Sequence, residues 1–326
     1  MNKRAFILIF DMLAGHWNED VIVPSTQLPP PNVMGYVKNN QLPAFKESIQ
    51  EGLFVNAWNK GICCTSYGQK YLASGTYDIQ VEPATTPYVK LAKGMESETI
   101  LYACKKKYPE GKIASFGSDA WMQSGWWKAP DATYGWGSYF SDMLTAQTSF
   151  KWMLSNPDWK MLLLYLAQYD MTGNCPVYMK NGSKWKDKHH SIIYIDKILW
   201  LVKEFLKENG WWEDSYLFIG SDHGCHYGCE VSVEEGRKRG IPEEELINYC
   251  SNHQAPYECR QWDFNLNKAS ETVSNCAQRI TFIIDGGALR QDLRNRKIPY
   301  AEIIDFAPTI AKFMDIQFSS CGNPVT

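Results

Sequence analysis

Residues suited to metal binding and nucleophilic chemistry follow several apolar runs of this sequence. Asp11 ends the first run, Asp170 follows a later one, and Asp222 with His223 follows the next. Carboxylates and imidazoles are common ligands of divalent cations. Thr65 follows another run and precedes a helical pattern. A threonine hydroxyl near its ordinary pKa is a poor nucleophile, and a bound metal lowers that pKa. These residue types indicate a metal site that holds an activated hydroxyl.

The apolar runs have the length and continuity of strands that are buried on both faces. Helical patterns alternate with them, which predicts a three-layer α/β/α sandwich with a central, mostly parallel sheet. Loops at the carboxyl ends of parallel strands form the sites of such sheets, so the polar residues are expected to converge. The predicted strands are Ala5–Phe10, Leu53–Trp58, Ile113–Phe116, Met161–Ala167, Tyr216–Gly220 and Ile280–Ile284. The predicted helices are Leu42–Gln50, Glu96–Lys107, 192–206 and Glu302–Phe313.

Two segments interrupt the alternation. Residues 225–275 are polar, charged and rich in cysteine, and we interpret them as an insertion or cap within a single catalytic domain of residues 1–326. Residues 121–139 are dense in Trp, Tyr and Gly. Such aromatic residues either cover a sheet edge or stack on nucleobases and sugar rings, and the sequence leaves both roles open.

Composition narrows the class of protein. The 326 residues carry a formal charge of −3, so no basic field favours a nucleic-acid polymer as partner. No stretch approaches the roughly 20 apolar residues of a membrane span, and no membrane partner is expected. The first apolar run, Ala5–Phe10, ends on a carboxylate and is shorter than the roughly 7–15 residues of a secretory core. These features predict a cytoplasmic protein.

Ten cysteines are scattered along the chain. Without a secretory signal they are expected to be reduced, partly buried thiols and not a disulfide framework. A zinc site made by Cys225, Cys229, Cys250 and Cys259 is conceivable, but these spacings are not those of a standard zinc motif.

Five segments, taken in order, resemble the alkaline phosphatase superfamily, which includes type I phosphodiesterases, nucleotide pyrophosphatases, phosphomutases and sulfatases. The most specific is Asp214–Gly224, a predicted strand that ends in Ser221-Asp222-His223-Gly224. The other segments are Ile7–Asp11, Thr65 with Leu72–Gly75, Tyr194 with Asp196, and Ile304–Ile310. The resemblance covers most of the chain and implies the fold of that superfamily.

The resemblance also implies roles. Asp11, Thr65, Asp222 and His223 match the ligands of one metal, most simply zinc, and Thr65 matches the nucleophile. We favour Thr65 over Ser66 because Thr65 lies ten residues before the glycine of the matching segment. The implied activity is hydrolysis of a small-molecule phosphate ester, a phosphodiester or a nucleotide, through a phospho-enzyme.

The second metal site departs from the family pattern. Asp170 matches its first ligand, but Asn174 stands where a histidine is expected, and residues 254–326 contain no histidine. Three alternatives stay open at this point. The site holds Zn, Mn, Mg or Ca with amide oxygens, or it is rebuilt with His226 or His253, or it is empty.

Other activities within the family are alternatives. The segment from Thr65 lacks the proline and arginine of sulfatases, and threonine cannot supply a formylglycine, so sulfate-ester hydrolysis is less favoured. A phosphomutase or phosphotransferase, or a degenerate homologue that binds without catalysis, also remains open.

Overall fold

The computed structural model describes residues 3–17, 22–23, 27–78, 81–82, 90–91, 98–119, 126–135, 141–174, 185–251 and 253–325. Much of the aromatic segment 121–139 therefore lies outside the described residues, and its predicted role is not addressed by the structure.

A central sheet of nine strands organises the described residues, in the order β11-β2-β12-β8-β1-β7-β5-β6, with β13 paired to β2. Its strands are β1 (Arg4–Phe10), β2 (Leu53–Trp58), β5 (Lys112–Gly117), β6 (Ala132–Gly135), β7 (Trp159–Leu166), β8 (Ser215–Gly220), β11 (Arg279–Ile280), β12 (Phe282–Asp285) and β13 (Arg296–Glu302). Two small antiparallel pairs lie outside it: β3 (Val81–Glu82) with β4 (Lys90–Leu91), and β9 (Arg260–Asp263) with β10 (Lys268–Val273).

Most of the sheet is parallel. β1 pairs in parallel with β7 and β8, and β5 pairs in parallel with β6 and β7. Among the described strands of this central sheet, β11 and β12 run antiparallel to their neighbours. The carboxyl ends of β1, β2, β7 and β8 therefore lie at one edge of the sheet, as the sequence predicted.

Helices cover both faces of the sheet and complete the three layers. The helices are α1 (Val33–Lys38), α2 (Pro43–Glu51), α3 (Thr65–Ser74), α4 (Ile100–Lys107), α5 (Asp142–Ser155), α6 (Gln168–Asn174), α7 (Trp185–Glu208), α8 (Glu230–Lys238) and α9 (Phe306–Phe313). Residues of α3, α4 and α9 share one apolar core, and residues of α2, α5 and α7 share the other. β1 contributes to both, because alternate side chains of a strand point to opposite faces.

The predicted strands are confirmed, but one predicted run is divided and the sheet also contains β6 and β13, which were not predicted. The run Ile280–Ile284 is broken at Thr281 into β11 and β12. β13 was not predicted as a strand, because most of its side chains are exposed and Pro299 interrupts the pattern. The helix predicted from Glu302 begins as a 3₁₀ turn at Ile303–Asp305 and becomes α-helical at Phe306.

The segment after β8 builds a small unit of its own beside the sheet. It contains α8, a 3₁₀ helix at Glu243–Asn248 and the β9–β10 pair. Isolated bridges join Tyr227 to Cys250 and Cys229 to Gln261. These bridges tie the segment back to the loop that follows β8.

A buried ion pair joins α7 to the sheet. Lys203 Nζ lies 3.0 Å from Asp285 Oδ2 at the end of β12, and both side chains are excluded from water. Glu47 of α2 lies 3.0 Å from the same ammonium group but is partly exposed. Removing one partner of a buried pair leaves the other charge without compensation.

We expect Asp285→Ala to lower the free energy of unfolding by about 3 kcal/mol, because the buried ammonium group of Lys203 would lose the carboxylate that is buried with it. Urea denaturation followed by circular dichroism measures this loss. Asp292→Ala is the matched control, since Asp292 pairs with Arg290 at the surface, where water screens the charges. Equal stability of both variants would contradict the structural role of Lys203–Asp285.

Candidate active site

Four parallel strands deliver the predicted site residues to one edge of the sheet. Asp11 directly follows β1, and its backbone N–H donates to the last carbonyl of β7 at 3.0 Å. Asp222 and His223 are the second and third residues after β8, and Asp170 lies in the first turn of α6, after β7. Thr65 is the first residue of α3, which follows β2.

The hydroxyl of Thr65 lies between an imidazole and a carboxylate. Its Oγ1 is 3.3 Å from Nε2 of His223 and 3.5 Å from Oδ1 of Asp11. Gly68, one turn into α3, allows this approach, because a Cβ there would lie 2.5 Å from the carbonyl oxygen of Asp222. Gly75 ends the helix in the left-handed conformation that glycine adopts most easily, with φ of 67°.

Asp222 is held rigidly. Its Oδ1 accepts the backbone N–H of Met12 at 3.2 Å and that of His223 at 3.0 Å. Its Oδ2 accepts the hydroxyl of Tyr165 at 3.0 Å. Sequence reasoning missed Tyr165, because a tyrosine inside a buried strand carries no local signal of a polar role.

The electrostatics of this group favour a bound cation. Burial, together with the charges of Asp222 and Asp170, raises the pKa of Asp11 well above its ordinary value. Burial also raises the pKa of Asp222. Burial would lower the pKa of His223, but the carboxylates of Asp222 and Asp11 outweigh it and raise that pKa to about 10. Buried carboxylates this close repel each other unless a positive charge neutralises them.

The donor set fits a divalent metal. Asp11, Asp222 and His223 each offer one ligand atom, and these atoms lie within 4.8 Å of one another. Nδ1 of His223 lies 3.0 Å from the Gly224 carbonyl, so the proton on Nδ1 can be donated there and Nε2 is available as a ligand. Three carboxylate or imidazole ligands with a hydroxyl from Thr65 are a set that zinc accepts.

A second group shares His223. Asp170, His223 and His253 bring one ligand atom each within 4.8 Å, and the two imidazole rings lie 4.1 Å apart. Nδ1 of His253 lies 2.7 Å from the Cys63 carbonyl, which accepts its proton and leaves Nε2 as the ligand atom. Burial and then the charge of His223 lower the pKa of His253 to about 4, so its ring is neutral at physiological pH.

Asn174 and His226 were predicted as possible ligands of the second metal, and neither is among the described side chains that form the group of Asp170, His223 and His253. The backbone of Asn174 ends α6, but its side chain lies outside the described residues. His226 does not join the second group. Both of its ring nitrogens are engaged elsewhere, with Nε2 at 2.6 Å from the Gln254 carbonyl and Nδ1 facing three cysteines. Of the two histidines proposed to rebuild the second site, His253 is the one that reaches Asp170.

Comparison by sequence finds no match: no protein-family model and no curated protein resembles the chain closely enough. Comparison by structure gives clear similarities. Murine ectonucleotide pyrophosphatase/phosphodiesterase 5, as an inactive variant in complex with AMP, is 12% identical with a TM-score of 0.60, over 98% of this chain and 97% of that one.

Two other solved structures give comparable TM-scores. The lipoteichoic acid synthase from Listeria monocytogenes is 14% identical with a TM-score of 0.61, over 98% of this chain and 73% of that one. A 2-O glycosaminoglycan sulfatase is 11% identical with a TM-score of 0.61, over 99% of this chain and 73% of that one.

These similarities define the class of fold as the one that phosphoesterases and sulfatases share. More particularly, the chain has the fold of the alkaline phosphatase superfamily, as its motifs predicted. Within the described residues, no helix is both long and apolar enough to cross a bilayer.

We expect metal affinity to rise with pH between 6 and 9. His223 must lose a proton before Nε2 can bind a metal, and its pKa in the metal-free protein is about 10. Because binding displaces this proton from His223, the affinity should rise by about tenfold for each pH unit. Competition with a chromophoric chelator at three pH values measures the slope, and an affinity that is independent of pH would contradict this arrangement.

We expect His253→Ala to weaken binding of a second divalent metal by at least about tenfold, because the second group would keep only Asp170 and a shared histidine. Titration with Mn²⁺ or Zn²⁺ of protein that already holds one metal per chain measures this. His190→Ala, which removes an exposed histidine near the start of α7, is the control. A second metal that binds equally well to both variants would exclude His253 as a ligand.

Proposed function

We propose that the chain is a metal-dependent hydrolase of phosphate esters that acts on small phosphodiesters or nucleotides. The observation that carries this proposal is the position of Thr65 Oγ1, 3.3 Å from His223 and 3.5 Å from Asp11 at the first turn of a helix. A hydroxyl in this position has side chains that can bind a metal beside it and lies at the N-terminus of α3. The fold shared with a phosphodiesterase that binds AMP is a second support.

The residues divide into two ligand groups around the reacting hydroxyl. Asp11, Asp222 and His223 would hold one cation, and Asp170 with His253 would hold another. Such cations would lower the pKa of the threonine hydroxyl and neutralise charge on the phosphoryl group. Because Nε2 of His223 can serve only one cation, the second group has fewer fixed protein ligands, and we expect it to bind more weakly.

The proposed reaction has two steps. In the first, Thr65 Oγ1 loses its proton and bonds to phosphorus, the bond from phosphorus to the leaving alcohol breaks, and that alcohol takes up a proton. In the second, the oxygen of a water molecule bonds to phosphorus, the phosphothreonine bond breaks, and Thr65 regains its proton. Backbone N–H groups at the start of α3 would bind the phosphoryl oxygens, as helix N-termini bind anions.

The substrate, the partners and the location are proposed from the sequence. The substrate is a small phosphate ester, with neither a nucleic-acid polymer nor a membrane as partner. The cytoplasmic location stays a prediction.

We expect Thr65→Ala to lower kcat by at least about 10³-fold, because the substitution removes the hydroxyl that would form the covalent intermediate. Hydrolysis of bis-p-nitrophenyl phosphate and p-nitrophenyl phosphate, each with Zn, Mn, Mg and Ca, measures activity. Mass spectrometry of acid-quenched enzyme would locate the phosphate on Thr65.

The matched control is Ser66→Ala, which removes the neighbouring hydroxyl of the same helical turn. Thr65→Ser should retain part of the activity because it keeps the hydroxyl. Full activity of Thr65→Ala, or loss of activity only in Ser66→Ala, would exclude Thr65 as the nucleophile. Silence of the wild-type chain with every metal and both substrates would favour a non-catalytic homologue, and transfer to an added alcohol would favour a phosphotransferase.

A further inference from the structure

Four metal-binding side chains meet beside the candidate active site without belonging to it. His226 lies in the loop after β8, Cys229 directly precedes α8, Cys259 directly precedes β9, and Cys276 begins the 3₁₀ turn that leads to β11. All four residues are buried, and their ligand atoms lie within 4.8 Å of one another. Four positions separated by up to 50 residues in sequence therefore converge on one point.

The distances match the edges of a coordination tetrahedron. Nδ1 of His226 lies 3.7 Å from Sγ of Cys229, 3.6 Å from that of Cys259 and 3.7 Å from that of Cys276. The Sγ atoms of Cys229 and Cys276 lie 3.9 Å apart. Zinc bonds of about 2.3 Å to sulfur and about 2.0 Å to nitrogen give tetrahedral edges of about 3.5 Å from nitrogen to sulfur and about 3.8 Å between sulfurs.

The histidine is oriented as a ligand. Its Nε2 lies 2.6 Å from the carbonyl oxygen of Gln254, which can only accept a hydrogen bond. The ring proton therefore resides on Nε2, and the lone pair of Nδ1 points towards the three thiols. Metal-ligating histidines usually donate their second ring nitrogen in this way.

Disulfide bonds or apolar packing of thiols explain this arrangement less well than a metal site does. Three cysteines cannot all be paired as disulfides, and a disulfide would draw two sulfurs to about 2.05 Å of each other and away from the third. A core of apolar thiols would not need a buried imidazole with its lone pair directed at all three. Cys225 and Cys250, which the spacing had suggested as ligands, instead contact each other at 2.8 Å outside this group.

We propose that His226, Cys229, Cys259 and Cys276 form a structural zinc site, which we call the Cys₃His site. All four coordination positions come from the protein, which is typical of structural and not catalytic zinc. The N-terminus of α8 at Cys229 favours the thiolate that zinc requires. This inference does not rest on the proposed function, because the site shares no ligand with the Thr65 group.

The Cys₃His site also accounts for the position of His253. The backbone carbonyl of His226 accepts the N–H of Ser251 at 2.9 Å, and Nε2 of His226 donates to the carbonyl of Gln254. The chain on both sides of His253 is therefore attached to one zinc ligand. Binding of zinc would hold this chain in place and keep His253 beside His223.

The first experiment uses the wild-type full chain, purified with a phosphine reductant and no added metal. We expect about one zinc per chain that remains after dialysis against a carboxylate chelator. A mercurial that reacts with thiolates should release that zinc, as followed with a chromophoric zinc indicator. Growth with Co²⁺ in place of zinc should give the intense charge-transfer absorption of a tetrahedral cobalt–thiolate centre.

The second experiment uses variants. Cys259→Ala should lose the chelator-resistant zinc, whereas Cys104→Ala, which removes a buried thiol from α4, should retain it. Cys259→His should bind zinc, since it keeps four ligands. Zinc binding by this variant would show that Cys259→Ala loses zinc because it loses a ligand and not because it misfolds.

Three results would overturn the proposal: no chelator-resistant zinc in the wild-type protein, a cobalt spectrum without thiolate absorption, or equal zinc in Cys259→Ala and Cys104→Ala. Because these measurements do not involve turnover, a failure of the proposed hydrolase activity would leave their outcome unaffected.

Discussion

The repulsion between the buried carboxylates of Asp11 and Asp222 is the constraint on which the site depends. Each follows a different parallel strand, and the sheet brings them together whether or not their charges are compensated. Burial, and then the charges of Asp222 and Asp170, raise the pKa of Asp11 well above its ordinary value. Hydrogen bonds from Met12, Tyr165 and His223 hold Asp222 in place, so the repulsion cannot be relieved by moving that side chain. Without a metal, protons on His223 and Asp11 relieve the repulsion, which is why both pKa values are raised, and a bound cation would take the place of those protons.

The segment after β8 supplies an imidazole, that of His253, which the loops at the sheet edge do not provide. Parallel strands deliver three carboxylates, one histidine and a hydroxyl to the edge, but no further imidazole beside Asp170. His253 comes from the inserted segment and reaches the edge only because that segment folds back towards His223. A long insertion with few apolar residues needs an anchor of its own, since a small unit buries too little apolar surface to hold a fixed position. The convergence of Cys229, Cys259 and Cys276 on His226 is a suitable anchor.

Prediction from the sequence succeeded where the signal is local. Continuous apolar runs identified β1, β2, β5, β7 and β8, because strands buried on both faces need no alternation. It failed at β13, whose exposed side chains and Pro299 resemble a loop. It also missed Tyr165, since nothing around that residue shows that its hydroxyl contacts Asp222. For the second metal group it left three alternatives, namely amide ligands, an added histidine from His226 or His253, and an empty site.

The sequence by itself therefore determined the layers, the mostly parallel sheet and the convergence of Asp11, Thr65, Asp222 and His223, because strand direction alone places them at one edge. Only the tertiary structure separated the two histidines of the inserted segment. His253 faces Asp170 and His223, whereas His226 faces three cysteines. The physical reason is that this segment has no regular periodicity to set the direction of its side chains. Those directions are decided by contacts between residues that are distant in sequence, such as Cys276 with His226.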